Sequence, residues 1–78
     1  MLQGRMDTLD LRGLKCPLPV LKANKALRAL PAGAELALVA TDPAAESDFP
    51  AFAQETGHTL LAMEKRDGEL HIRLRKRG

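Results

Sequence analysis

A second cysteine and nearly all aromatic rings are missing from this sequence. Cys16 stands alone among 78 residues, tryptophan and tyrosine are absent, and phenylalanine occurs twice. With one cysteine no internal disulfide can form. Residues 1–6 lack the apolar core of an export signal, so a reducing cytoplasm is the expected setting. No apolar run approaches the ~18 residues needed to cross a bilayer, and no membrane association is expected. Few aromatics leave little from which to build a base-stacking platform for single-stranded RNA. Twelve basic and ten acidic side chains leave a net charge of +2, too little to indicate nucleic-acid binding. The basic residues Arg73, Arg75, Lys76 and Arg77 read as a solvated strand and tail, with RNA phosphates or an acidic partner surface as the alternative contact. His58 and His71 show no ligand spacing with each other or with Cys16, so neither a metal nor a cofactor is expected. There is no Ser-His-Asp order, Gly-rich phosphate loop or H-E-x-x-H.

What is present gathers around Leu11-Arg12-Gly13-Leu14-Lys15-Cys16-Pro17-Leu18-Pro19-Val20. Proline suits the first position of a helix, where its missing N–H has no partner to lose. Pro17 therefore predicts a helix start with Cys16 as its N-cap, and Pro19 still lies in the first turn. Unpaired N–H groups at a helix start favour an anion, and thiols placed there commonly have lowered pKa values. Lys15 and Arg12 add positive charge, and Gly13 permits a tight turn. A lone cysteine is by default a small buried hydrophobe, but a helix tip flanked by prolines and cations is a poor place to bury one. The pattern predicts an exposed thiolate.

Along the chain, residues 1–6 lack periodicity and are expected to be flexible. Residues 8–11 alternate as a first strand with Leu9 and Leu11 inward. Residues 17–30 read as a helix with Val20, Ala23, Leu27 and Leu30 as its buried stripe and Lys22, Lys25 and Arg28 on an exposed face. Residues 35–41 form a mostly apolar strand, expected to be central and well covered. A second helix is capped by Ser47 or Asp48, carries Pro50 in its first turn and stops at Gly57. His58, next to that stop, reads as a contact to the helix dipole. Residues 59–65 and 69–75 pair around Asp67-Gly68, a type I′ signal. That turn sets Met63 opposite Ile72, Leu61 opposite Leu74, Glu64 opposite His71 and Ala62 opposite Arg73. The order βαβαββ, with both crossovers running the same way, predicts an α/β (α+β) two-layer sandwich with both helices on one face of a four-stranded mixed sheet.

Asp10-Leu11-Arg12-Gly13-Leu14-Lys15-Cys16-Pro17-Leu18-Pro19 resembles the D-x-R-G-x-x-C-P-x-P signature of the TusA/SirA-like sulfur-carrier family. Thr41-Asp42-Pro43, Asp48-Phe49-Pro50 and Gly57-His58 follow in similar spacing. The resemblance spans roughly residues 7 to 76, within a single domain of residues 7–78, and implies the sheet order 1-2-4-3. It also implies a sulfurtransferase in which Cys16 carries sulfane sulfur as a persulfide, a carrier rather than a multiple-turnover enzyme on its own. The donor would be a cysteine desulfurase or rhodanese-type protein. The acceptor would be a downstream protein in tRNA thiolation, molybdenum-cofactor synthesis or sulfur oxidation. Asp10, Arg12, Gly13, Lys15, Pro17 and Pro19 are expected to shape the site, and Leu18, Lys22, Lys25, Arg28 and Asp42 to meet partners. A monomer is expected, and direct nucleic-acid binding is not. The competing reading is a non-catalytic adaptor or regulatory module on the same fold.

Overall fold

The computed structural model describes residues 6–78. The expected flexible segment lies outside the described residues except for Met6, which already belongs to the first strand. The elements are β1 (Met6–Leu11), α1 (Leu18–Arg28), β2 (Glu35–Ala40), α2 (Ala45–Thr56), β3 (Thr59–Arg66) and β4 (Glu69–Arg75). They form one sheet in the order β1-β2-β4-β3. β1 and β2 are parallel, and β4 runs antiparallel to both β2 and β3. This is the expected two-layer βαβαββ arrangement.

Alternation along the strands decides which face is buried. Leu11 of β1, Leu36, Leu38 and Ala40 of β2, and Leu70, Ile72 and Leu74 of β4 form one continuous core with Ala23, Leu27, Phe49 and Phe52 from the helices. Phe49 and Phe52 meet edge to face with centroids 6.2 Å apart, a contact worth about 0.5–1.5 kcal/mol beyond burial. β2 is central, as its composition predicts, but covered on one side only. Ala37 and Val39 are half-buried on the other face, because both helices pack on the same side.

The hairpin turn has positive φ at Asp67 (51°) and Gly68 (78°), as a type I′ turn requires. Three of the expected pairs form: Met63 with Ile72, Glu64 with His71, and Ala62 with Arg73. The fourth does not. A bulge between Leu60 and Ala62 places Leu60, not Leu61, opposite Leu74. An edge strand tolerates the extra residue, because its outer side has no ladder to break.

Both helix starts depart from expectation. Pro17, not Cys16, is the N-cap of α1, and no side chain caps it. Pro19 does lie in the first turn, as predicted. The helix ends at Arg28, two residues short of Leu30, where Lys76 Nζ donates to the carbonyls of Leu30 (2.6 Å) and Arg28 (3.4 Å). α2 starts early, because overlapping turns carry the chain directly from Asp42 into the helix: Ala45 N–H to Asp42 O, Glu46 N–H to Pro43 O, and Asp48 N–H to Ala44 O. Pro50 therefore falls in the helix interior rather than the first turn. Ser47 does not cap; its hydroxyl donates back to Ala44 O at 3.2 Å. Gly57 ends α2 in the left-handed region (φ 85°), as expected of a stop glycine.

His58, expected to contact the helix dipole, is instead buried: its Nδ1 accepts the Arg77 backbone N–H at 3.1 Å, and its ring lies against Phe52 at 5.8 Å. Burial first, then the charges of Arg77 and Lys76, hold it below the ordinary histidine value of 6.5. A depressed folded-state pKa means stability that is complete above the unfolded value and lost as pH falls through the folded one. The melting temperature should therefore drop between about pH 7.5 and pH 5, and His58→Gln should flatten that dependence. A melting temperature that holds constant or rises over this range would contradict the assignment.

Candidate functional site

Parallel strands deliver their following loops to the same edge of a sheet. β1 and β2 are adjacent and parallel, so the segment after Leu11 and the segment after Ala40 emerge side by side. The first makes two turns in succession. Leu14 N–H donates to Leu11 O at 3.3 Å around Gly13 (φ 82°), and Leu18 N–H donates to Lys15 O at 2.8 Å around Cys16 and Pro17. Only glycine adopts the Gly13 conformation without strain. The Cys16–Pro17 peptide is cis.

The second segment pins the first. Thr41 Oγ1 accepts the Gly13 N–H at 2.9 Å, and Asp42 Oδ2 accepts the Cys16 N–H at 2.7 Å. A carboxylate acceptor makes the latter a charge-assisted bond, roughly twice as strong as a neutral one. Asp42, expected to meet partners, is thus placed under the cysteine turn. Thr41 was legible only as part of the Thr41-Asp42-Pro43 run, with no role attached to it.

Arg12 is fully engaged. Its Nε and Nη2 donate to Asp10 Oδ1 and Oδ2, both at 2.9 Å, and its Nη1 donates to Glu69 Oε2 at 3.4 Å. The side-chain bond to Arg12 holds the Asp10 carboxyl down at about 2, and Arg12 is pushed up in turn. The guanidinium therefore spends its charge on carboxylates rather than on the thiol.

Cys16 is exposed, but its electrostatics reverse the expectation. Hydrogen bonding towards the Asp48 carboxylate, then desolvation and the negative charges of Asp48 and Asp42, push the thiol pKa up. Cys16 sits before the helix rather than capping it, while α2, starting early, carries Asp48 towards the sulfur. These surroundings favour the thiol over the thiolate. Beside it, Leu18 and Leu21 remain 45% and 55% exposed. Pro17 is exposed with them, and Pro19 turns inward and is buried. Lys15, Lys22, Lys25 and Arg28 are exposed, but Arg28 lies at the opposite end of α1. Among the described residues no three metal-ligating side chains gather, and no helix is long and apolar enough to cross a membrane.

A sequence profile described as Sulfurtransferase TusA matches residues 7–76. The chain belongs to that family. A putative sulfur carrier protein of Neisseria meningitidis is 52% identical over 62 residues, 80% of this chain and 84% of that protein. The sulfur carrier protein TusA of Allochromatium vinosum is 44% identical over 68 residues, 87% of this chain and 90% of its own. The crystal structure of a SirA-like protein from Desulfitobacterium hafniense is similar with a TM-score of 0.79 at 25% identity, across 95% of this chain and 100% of that one. Membership of the TusA family makes sulfur transfer, in the general sense of a sulfur carrier, the setting in which the cysteine turn is to be understood.

Proposed function

We propose that Cys16 carries sulfane sulfur as a persulfide between a donor enzyme and an acceptor protein. The observation that carries this reading is an exposed thiol on a turn held by Asp42 and Thr41, in a chain of the TusA family. In the loading step the Cys16 sulfur attacks the terminal sulfur of a donor cysteine persulfide. A Cys16–S bond forms, the donor S–S bond breaks, and the donor cysteine leaves as a thiolate that takes up the proton lost from Cys16. No net oxidation occurs. The sequence contains no second cysteine, so the loaded sulfur cannot be expelled through an internal disulfide. A cysteine desulfurase or rhodanese-type protein supplies the donor persulfide, and a thiol of a downstream protein receives the sulfur. Incubation with a desulfurase and cysteine should add the mass of one sulfur atom. A protein that stayed unmodified would favour an adaptor instead.

The donor must bring its own cysteine to the turn, and Leu18 and Leu21 offer the apolar part of a landing surface beside it. Lys22 and Lys25, within the next two helical turns, supply charge. Their joint reversal to glutamate should slow loading from a protein donor roughly tenfold at low salt, chiefly through the association rate. Loading from a small persulfide should be unaffected, since it needs no docking. Unchanged protein-to-protein kinetics at low salt would remove these lysines from the docking surface.

A further inference from the structure

At the pole opposite Cys16, the ends of α1 and α2 and the exit of β4 surround an open cleft of about 450 Å³, lined in part by Asn24, Arg28, Glu55, His58, Lys76 and Arg77. The eleven residues of α1 separate it from the cysteine turn, a distance of about 16 Å. It takes no part in the chemistry proposed for Cys16.

Three cations face one carboxylate, Glu55, and they are not equivalent. Lys76 is committed to the carbonyls that close α1, which offsets the negative end of that helix dipole where it would repel an anion. Arg12, Arg66, Arg73 and Arg75 are each paired with a carboxylate elsewhere on the molecule. Among the described residues, Arg28 and Arg77 have no such pair, and both line this cleft. His58, 9% exposed, accepts the Arg77 N–H at Nδ1. A neutral imidazole that accepts at Nδ1 carries its proton on Nε2, and among the described residues no protein acceptor takes that proton. Two arginines without a carboxylate partner and a buried histidine thus line one concavity.

We propose that this cleft binds a phosphate group, neutralised by Arg28 and Arg77 and hydrogen-bonded by His58 Nε2–H. Planar forks match phosphate oxygens two at a time, and a tetrahedral anion has enough oxygens to engage both forks and the imidazole. A carboxylate has only two oxygens, so it satisfies two forks and an imidazole less completely. The volume leaves room for the group that bears the phosphate, as in a phosphate ester. With no phenylalanine, tyrosine or tryptophan in the lining, a nucleotide base would find no broad platform, so recognition is of the phosphate and not of sequence.

The imidazole titrations seen by NMR at constant ionic strength report the binding directly. The groups facing His58 are Arg77 and Lys76 from the chain's end, Glu55 from α2 and Arg28 from α1. His71, on the open sheet face beside Glu69 at 3.5 Å, is the internal reference. Inorganic phosphate should raise the His58 midpoint saturably, by about one pH unit, and leave His71 unmoved. By linkage, phosphate then binds about tenfold more tightly once His58 is protonated. Arg28→Gln together with Arg77→Gln, which keeps the Arg77 backbone N–H, should abolish the response with the circular dichroism spectrum unchanged. A single-stranded RNA oligonucleotide acting at lower phosphate concentration would identify a nucleic-acid backbone as the source; inorganic phosphate acting equally well would identify a small phosphate compound. A wild-type His58 midpoint unmoved by both probes overturns the proposal, as does a response that survives the double substitution or is matched by acetate.

Discussion

Replacing Cys16 with serine is expected to abolish sulfur loading and leave the fold in place. The serine hydroxyl is far too weak an acid to attack a persulfide sulfur near neutral pH, and it forms no persulfide. Structurally the exchange is mild. The side chain is exposed, caps no helix, and the bond that fixes the turn is made by the backbone N–H to Asp42. Exposed substitutions of this kind usually fall within about 0.5 kcal/mol of neutral. Mass measurement after incubation with a desulfurase and cysteine tests the first half, and circular dichroism with thermal melting tests the second. A serine variant that still gains sulfur would remove Cys16 from the mechanism. A variant that unfolds would show the thiol to be structural.

The sheet was readable because its signals are local and mutually consistent. Asp67-Gly68 dictates the turn, the turn dictates the register, and the period-two pattern in β4 and β2 agrees with it. Leu61 escaped because Leu60-Leu61 is apolar at both positions, so composition does not say which leucine faces the core. The Leu60–Leu74 pairing and the bulge settle it. The helix starts were harder for a related reason. Ser47 and Asp48 are good caps in isolation, but Asp42-Pro43 already launches the chain into a helical turn, and that earlier start prevails.

The cysteine segment stood out in the sequence as a candidate site, but its electrostatic surroundings did not. Reading along the chain, the nearest ionisable neighbours of Cys16 are Lys15 and Arg12, which suggest a thiolate. Through space, Arg12 is held by Asp10 and Glu69, 57 residues further on, and the carboxylates near the sulfur come from the next βα unit, Asp42 from its connection and Asp48 from α2. Parallel adjacency of β1 and β2 brings the two connections together. Once that topology is granted, Thr41, Asp42 and Asp48 become expected neighbours of the turn. Local sequence does not supply the topology; the sheet order does.

Asp48→Asn is therefore expected to lower the Cys16 pKa and quicken the thiol. The amide keeps the shape of the carboxylate but removes its charge and replaces its strongest accepting oxygens, the largest cause of the raised value. Alkylation rate against pH should inflect above the ~8.5 of an ordinary thiol in the wild type and at lower pH in the variant. At pH 7 each pH unit of that displacement is worth about tenfold in thiolate, and so in rate up to the small loss of intrinsic nucleophilicity. Asp42→Asn should move the inflection less, since its charge is the smallest contribution. Function adds a second readout. A persulfide is more acidic than a thiol, so under the persulfide proposal the loaded carrier would present an anion to the same carboxylate. Repulsion there would raise the energy of the loaded state and favour handing the sulfur on. Asp48→Asn should then load faster yet release to an acceptor thiol more slowly, a split that a merely loosened turn does not produce, because loosening slows both. An alkylation profile identical to wild type would show that Asp48 does not govern the sulfur. A lower inflection with release unslowed would confine its effect to the empty carrier.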